Sequence, residues 1–336
     1  MEENSTPISV VIPSRNSRET LGLVLEPLLK ELKKGDELMV VDDRSEDNSY
    51  EIATRLGAKV IFSSGKPGAA GARNTGGRNA SGEWVLFVDS DAVAPAGWRD
   101  KLQQRINQGA QAVQATYSPD AKGTYAATFY KNFYYYYTFT RRISSNYITG
   151  CGTFFFGVKK IVFMELGGFD DEIPGATIED ADFAARLVGT GGQILMAPEI
   201  EVYHLREYTF GELMAYEWNM MKAKALYILR RNSRHGFPSV SMATPLEMVP
   251  VLSGAVSVWL IPVGLAMYAA GWSIGLLPAV AGLLLITAGH AGFWSASVKN
   301  GGKRGLIASL MTLPDLLLII PAVLTGFAKH LSGRKY

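Results

Sequence analysis

The sequence predicts an α/β domain built on a mostly parallel sheet, followed by a helical membrane domain. Three observations carry that prediction: β-branched runs alternating with amphipathic stretches, polar residues closing each run, and a change of character beyond residue 248. Residues 1–248 hold 27 basic and 30 acidic side chains, whereas 249–336 hold six basic ones (Lys299, Lys303, Arg304, Lys329, Arg334, Lys335) against one acid, Asp315. A chain of 336 residues suits about two domains, here 1–235 and 236–336. With 48% hydrophobic residues and a formal net charge of +2, it is not a disordered chain. The net acidic first part carries no basic stripe interleaved with stacking aromatics, which excludes nucleic acid as a partner. Cys151 is the single cysteine, so neither an internal disulfide nor a cysteine zinc site is available. The start, Met1-Glu2-Glu3-Asn4-Ser5, lacks the basic and apolar regions of a secretory signal, and the first domain is expected in the cytoplasm.

Residues 8–12 (Ile-Ser-Val-Val-Ile) read as a strand ended by Pro13, and Leu21, Val24, Leu25, Leu28, Leu29 and Leu32 as one face of a helix. Further strands are expected at 37–41, 59–63 and 84–88, with a helix at 49–56. Alternation of this kind implies right-handed crossovers, and ligands of such sheets sit at the carboxyl ends of the strands. Those ends are polar: Pro13-Ser14-Arg15-Asn16, Asp42-Asp43, Ser63-Ser64 and Asp89-Ser90-Asp91. The glycines after the third strand (Gly65, Gly68, Gly71, Gly76, Gly77) lack the G-x-G-x-x-G spacing after a first strand, which argues against a dinucleotide fold. Asp89 and Asp91 would repel each other unless a hard cation, Mg²⁺ or Mn²⁺, lay between them and a phosphate. A solvated turn is the alternative, since Asp and Ser are ordinary turn formers.

In their order, these pieces resemble the inverting family 2 glycosyltransferases with a GT-A (Rossmann-like) fold, over about residues 7 to 232. The matching pieces are 9–16 (Ser-Val-Val-Ile-Pro-Ser-Arg-Asn), 41–45 (Val-Asp-Asp-Arg-Ser), 71–74 (Gly-Ala-Arg-Asn), 87–91 (Phe-Val-Asp-Ser-Asp), 167–170 (Gly-Gly-Phe-Asp), 179–183 (Glu-Asp-Ala-Asp-Phe) and 202–204 (Val-Tyr-His). The resemblance implies a nucleotide-sugar donor bound by Pro13, Ser14, Asp43, Arg73, Asp89 and Ser90, with Asp43 on the base, Ser90 near the ribose and Arg73 near the phosphates. It implies a Mn²⁺ or Mg²⁺ cofactor on Asp89, Asp91 and His204. Arg73 as a surface helix arginine and His204 as a structural residue are the plainer alternatives. Asp180 is expected to be the general base of a single displacement, with Glu179 orienting it or the acceptor. The stretch 177–180 can equally cap a helix over 181–188. The Gln-x-x-Arg-Trp motif of processive synthases is reduced at 214–218 (Met-Ala-Tyr-Glu-Trp) to Trp218, so one sugar, or few, is added per encounter. Trp218 could stack on an acceptor or serve as helix packing.

Thr209 and Glu212 form a capping box for a helix through about Arg231, basic toward its end. Apolar segments follow at 249–270, 273–294 and 305–328, each near the roughly 20 residues that span a bilayer. The first two form a hairpin, and the next loop returns Lys299, Lys303 and Arg304 to the cytoplasm. The third contains Asp315 and two prolines and could span, re-enter or lie at the interface, with Asp315 facing protein, water or a headgroup. Residues 125–143, with tyrosines at 134–137, suit either an interfacial helix or an aromatic core helix. The leading expectation is an integral membrane glycosyltransferase, its catalytic domain in the cytoplasm among membrane lipid, using a lipid-linked or glycan acceptor. A nucleotidyl- or phosphosugar transferase and an inactive membrane scaffold are the alternatives.

Overall fold

The computed structural model describes residues 5–120, 123–173, 177–235 and 248–333; the first four residues and the stretch just past position 235 lie outside the described residues. Two compact units emerge. One takes Met1–Ser118 and Phe139–Arg206, the other Pro119–Thr138, Glu207–Pro238 and Ala243–Tyr336.

The first unit begins β1 (Ile8–Ser14), α1 (Leu21–Lys30), β2 (Glu37–Asp42), α2 (Ser49–Arg55), β3 (Lys59–Phe62), α3 (Ala69–Asn79), β4 (Trp84–Val88), β5 (Ala92–Val93) and α4 (Trp98–Ile106). It adds β6 (Ala112–Tyr117), then β7 (Tyr147–Ile148), β8 (Phe155–Lys159), α6 (Lys160–Glu165), α7 (Glu179–Gly189) and β9 (Ile194–His204). The second unit holds α5 (Ala126–Tyr137), α8 (Phe210–His235), α9 (Val249–Ala269) and α10 (Leu276–Leu331).

The sheet order is β3-β2-β1-β4-β8-β6-β9-β5. The half read from β-branched runs is parallel throughout, β1 lying between β2 and β4 with β3 outside β2. Antiparallel β8 joins β4 to β6, which pairs in parallel with β9. β1, β2 and β4 are buried along nearly their whole length, as near-continuous apolar strands covered on both faces should be. Small residues let α3 lie close on this sheet and on α6: a Cβ at Gly76 would collide with Val11 of β1, and one at Gly77 with Phe163 of α6. Ser14 stands opposite Asp42 in the β1–β2 register, so the polar strand ends share one edge.

In the second unit, Thr209 and Glu212 make the expected capping box: the Thr209 N–H donates to Glu212 Oε2 at 2.8 Å and the Glu212 N–H to Thr209 Oγ1 at 3.3 Å. Phe129, Tyr130 and Phe133 of α5 are buried against Tyr208, Leu213, Phe293 and Ala308, which favours the core reading of that helix. The segments expected at 273–294 and 305–328 are two helices that meet at a sharp kink at Gly302 (φ 53°, ψ −125°) and are together called α10; the expected loop is shortened to that kink, because the first helix runs on to residue 301. Ser297 Oγ donates to the Gly305 carbonyl at 2.9 Å, and a Cβ at Gly305 would collide with the Ser297 carbonyl. Small residues thus let the two halves of α10 fold back closely where a loop was expected. α9 and the span 273–331 are the two helical stretches, among the described residues, long and apolar enough to cross a membrane.

Candidate active site

The site lies in the first unit, at the carboxyl edge of β1, β2 and β4. The Ser14 carbonyl accepts the Asp43 N–H at 2.8 Å, joining the ends of β1 and β2. Ser14 Oγ is buried without a hydrogen-bond partner among the described residues, beside a half-buried Pro13. Asp43 is buried; its Oδ2 accepts the Gly68 N–H at 2.6 Å, and its Oδ1 pairs with Arg44, whose Nη2 donates to the Gly65 carbonyl at 3.1 Å. The carboxylate expected on a nucleotide base therefore also ties the glycine-rich loop to the end of β2. Glycine is required there: Gly68 has φ 124°, and a Cβ at Gly71 would strike the Lys66 carbonyl.

From that loop α3 carries Arg73 and Asn74 into the interior. Asn74 exchanges two 2.8 Å hydrogen bonds with the backbone of Phe169, and Arg186 of α7 donates to the Leu166 and Gly168 carbonyls. The Gly-Gly-Phe-Asp stretch is thereby held against α3 and α7. Arg73 is only 2% exposed, unlike a surface arginine. Its Nη1 donates to Glu179 Oε1 at 3.0 Å and its Nη2 to Asp89 Oδ1 at 2.7 Å. Burial would lower the guanidinium pKa, but Asp89 and Glu179 outweigh it and raise it above the ordinary value. Both terminal nitrogens are thus committed to carboxylates, so Arg73 reaches the site through Asp89 and Glu179.

The turn after β4 is braced from the far side. Ser17 and Ser90 share a 2.8 Å hydroxyl hydrogen bond, and Thr20 Oγ1 donates to the Ser90 carbonyl at 2.7 Å. β5 pairs with the end of β9, Ala92 opposite His204, and this brings His204 Nε2 to 3.5 Å from Asp91 Oδ2. Burial raises the Asp91 carboxyl, yet His204, helped by Arg206, holds it below the usual value. Tyr117, at the end of β6, stacks on the His204 ring at 4.9 Å between centroids. Only the third dimension shows Tyr117 here, since β6 carries no strong alternation.

Glu179 and Asp180 open α7 but differ in environment. Glu179 is buried on Arg73 and accepts the Thr177 N–H at 2.8 Å, whereas Asp180 is half-buried. The Asp180 carbonyl accepts the Cys151 thiol at 3.3 Å, and burial pushes that thiol well above its ordinary pKa. Acidic residues at a helix N-terminus are also favoured by its dipole. Trp218 lies on α8 in the second unit, half-buried.

Both Mn²⁺ and Mg²⁺ take carboxylate oxygen, and a facing imidazole suits Mn²⁺ of the two. Asp91 and His204 fit that donor set. Among the described residues no group of three His, Cys, Asp or Glu side chains closes on one point, and one oxygen of Asp89 accepts from Arg73.

Residues 9–167 match the family model described as glycosyl transferase family 2. The glycosyltransferase GlyG of Streptococcus pneumoniae is 35% identical over 106 residues, 30% of this chain and 35% of that protein. The Escherichia coli UDP-Glc:alpha-D-GlcNAc-diphosphoundecaprenol beta-1,3-glucosyltransferase WfgD is 34% identical over 103 residues, 30% of this chain and 40% of that protein. The matched region thus spans well under half the length of these relatives. Among solved structures, mannosyltransferase PcManGT from Pyrobaculum calidifontis, in complex with GDP-Man and Mn²⁺, superposes with a TM-score of 0.59 at 18% identity, covering 99% of this chain and 89% of that one. That likeness establishes a shared GT-A fold.

Proposed function

We propose, taking as premise that residues 9–167 form a glycosyl transferase family 2 domain, that this protein transfers a sugar from a nucleotide-sugar to an acceptor hydroxyl with inversion, one or few residues per encounter. The observation that carries the proposal is the bridge of Arg73 between Asp89 and Glu179, which joins the Asp-x-Asp turn to the helix that presents Asp180. Ser14 and Asp43 would face the nucleoside, with Ser90 beside the ribose. Asp91 and His204, with the second oxygen of Asp89, would hold the divalent cation. Bound there, a cation supplies positive charge against the diphosphate. Asp180, half-buried at the first turn of α7, would accept the proton of the attacking hydroxyl as the anomeric carbon–oxygen bond to the diphosphate breaks. Glu179 would hold the start of α7 in place.

The apolar hairpin of α9 and the first half of α10 would anchor the protein in the membrane, with the catalytic domain in the cytoplasm. A lipid-linked acceptor suits an enzyme fixed at a bilayer, and WfgD, by its name, acts on a diphosphoundecaprenol-linked sugar. The test is binding of UDP-, GDP- and dTDP-sugars to the detergent-solubilised full chain with Mn²⁺, Mg²⁺ or chelator. One donor should bind in a metal-dependent manner, and Asp91→Ala should abolish that dependence. A folded protein that binds no nucleotide-sugar with either metal would contradict the proposal.

A further inference from the structure

Two contacts decide how the second half of α10 meets a membrane. Tyr130 of α5 donates its hydroxyl to Asp315 Oδ2 at 2.6 Å, and the neighbouring Lys131 Nζ donates to Glu217 Oε1 of α8 at 2.6 Å. Glu217 is close enough to Asp315 for its charge to be felt there, so α5, α8 and α10 meet in one buried polar cluster. Asp315 stands near the middle of the apolar stretch 305–328. Were that stretch to span the bilayer, Asp315 would sit near the midplane, with Lys131, Glu217 and the helices that carry them drawn in beside it. The hydrocarbon core offers such groups no water, and α8 adds Lys222 and Lys224 to the same burden.

Beyond Asp315 the partner of α10 is α8, not the hairpin. Leu316 still packs with Val251, Ala255, Val258 and Ile286. Past it, Gly326 lies on the α8 backbone, where a Cβ would come to 2.8 Å from the Lys222 carbonyl and 2.9 Å from Ala225 Cβ. Burial and then the charge of Lys329 lower the Lys222 pKa, which sets the last turn of α10 beside α8 as well. The far part of the hairpin has meanwhile gained no third helix. Val263, Leu265, Leu277 and Leu284 remain 52%, 52%, 67% and 64% exposed.

We propose that α8 and the second half of α10 lie together along the surface of the bilayer, as a shelf whose apolar side rests on lipid, and that only α9 and the first half of α10 cross. Val323, Leu324, Phe327 and Leu331 recur at helical spacing on the exposed side of α10 and form the lipid-facing stripe. The shelf is continuous with the hairpin through Leu316, which argues for lipid as its occupant. The chain's end then stays on the side of Lys299, Lys303 and Lys329, as positive residues prefer.

The proposal rests on the hairpin reading above, and the test separates the two. Single cysteines are placed in the full chain at Ser273, Asn300 and Ser332, all exposed, over a native Cys151 that is buried. Each is challenged with a membrane-impermeant maleimide in intact cells and in inverted vesicles. Ser332→Cys should label with Asn300→Cys in inverted vesicles and be protected in cells, while Ser273→Cys does the reverse. Labelling of Ser332→Cys together with Ser273→Cys would overturn the shelf and leave the hairpin standing. Labelling of Ser273→Cys on the same side as Asn300→Cys would overturn the hairpin and the shelf with it.

Discussion

Arg73 shows how one side chain can serve a site from inside the protein. It neutralises two carboxylates that stand at the end of β4 and the start of α7, and it is as buried as Glu179. Removing one partner of a buried pair costs about 3–5 kcal/mol, because the other charge is left without compensation. Arg73→Ala is therefore expected to lower unfolding free energy by about that much, and Arg73→Met with Glu179→Met to recover a large part of it, read by denaturant titration. Cys151 makes a simpler prediction. Its buried thiol stays neutral at pH 8, whereas an unfolded thiol, with a pKa of about 8.5, is partly ionised there. Thiol reagents should leave the native protein unmodified and react fully in denaturant. At this scale the Asp-x-Asp pair was legible, since two carboxylates closing an apolar strand demand a reason. The Arg73–Glu179 bond was not, because 106 residues separate its partners. The facing of Asp91 and His204 depends on a two-residue strand, β5, too short to leave a pattern.

Among the elements, the closeness of α3 to β1 carries the most consequence, because α3 delivers both Arg73 and Asn74. Gly76→Ala would force a methyl into Val11 and should cost about 1–3 kcal/mol, with loss of donor binding as α3 shifts. Gly22→Ala on α1, where nothing lies within 4 Å of a new Cβ, should instead add about 0.5–1 kcal/mol by removing backbone freedom from the unfolded chain. Thermal or denaturant unfolding of the pair measures both signs. The parallel half of the sheet could be read in advance because its strands are β-branched and end in polar residues. β6 could not: it buries Gln114 and Thr116, whose polarity masks its place in the core. The continuity of α10 through 295–301 was hidden for a related reason. Its serines, lysine and glycines read as a loop, yet Ser297 and Gly305 are what let the two halves of the helix close on each other.

For the molecule as a whole, the charge division beyond residue 248 foresaw an apolar C-terminal part, while contacts group α5 and α8 with it as well. Helix α8 is too polar to be grouped by its sequence with the apolar C-terminal part, and only its contacts with α10 reveal that place. In the first unit, Glu179 and Asp180 occupy adjacent positions in different surroundings: Glu179 accepts from Arg73, whereas Asp180 accepts the Ala181 N–H and is the base in the function proposed above. The most direct measurement compares donor binding with turnover in Asp180→Asn, using the nucleotide-sugar that the wild-type chain binds and following transfer or donor hydrolysis. Asn keeps the size of the side chain and removes the base, so binding should be unchanged and turnover should fall by about 10²–10⁴-fold. Turnover within a few-fold of wild type in Asp180→Asn would contradict the assignment of this carboxylate as the base, and with it the role given to the start of α7.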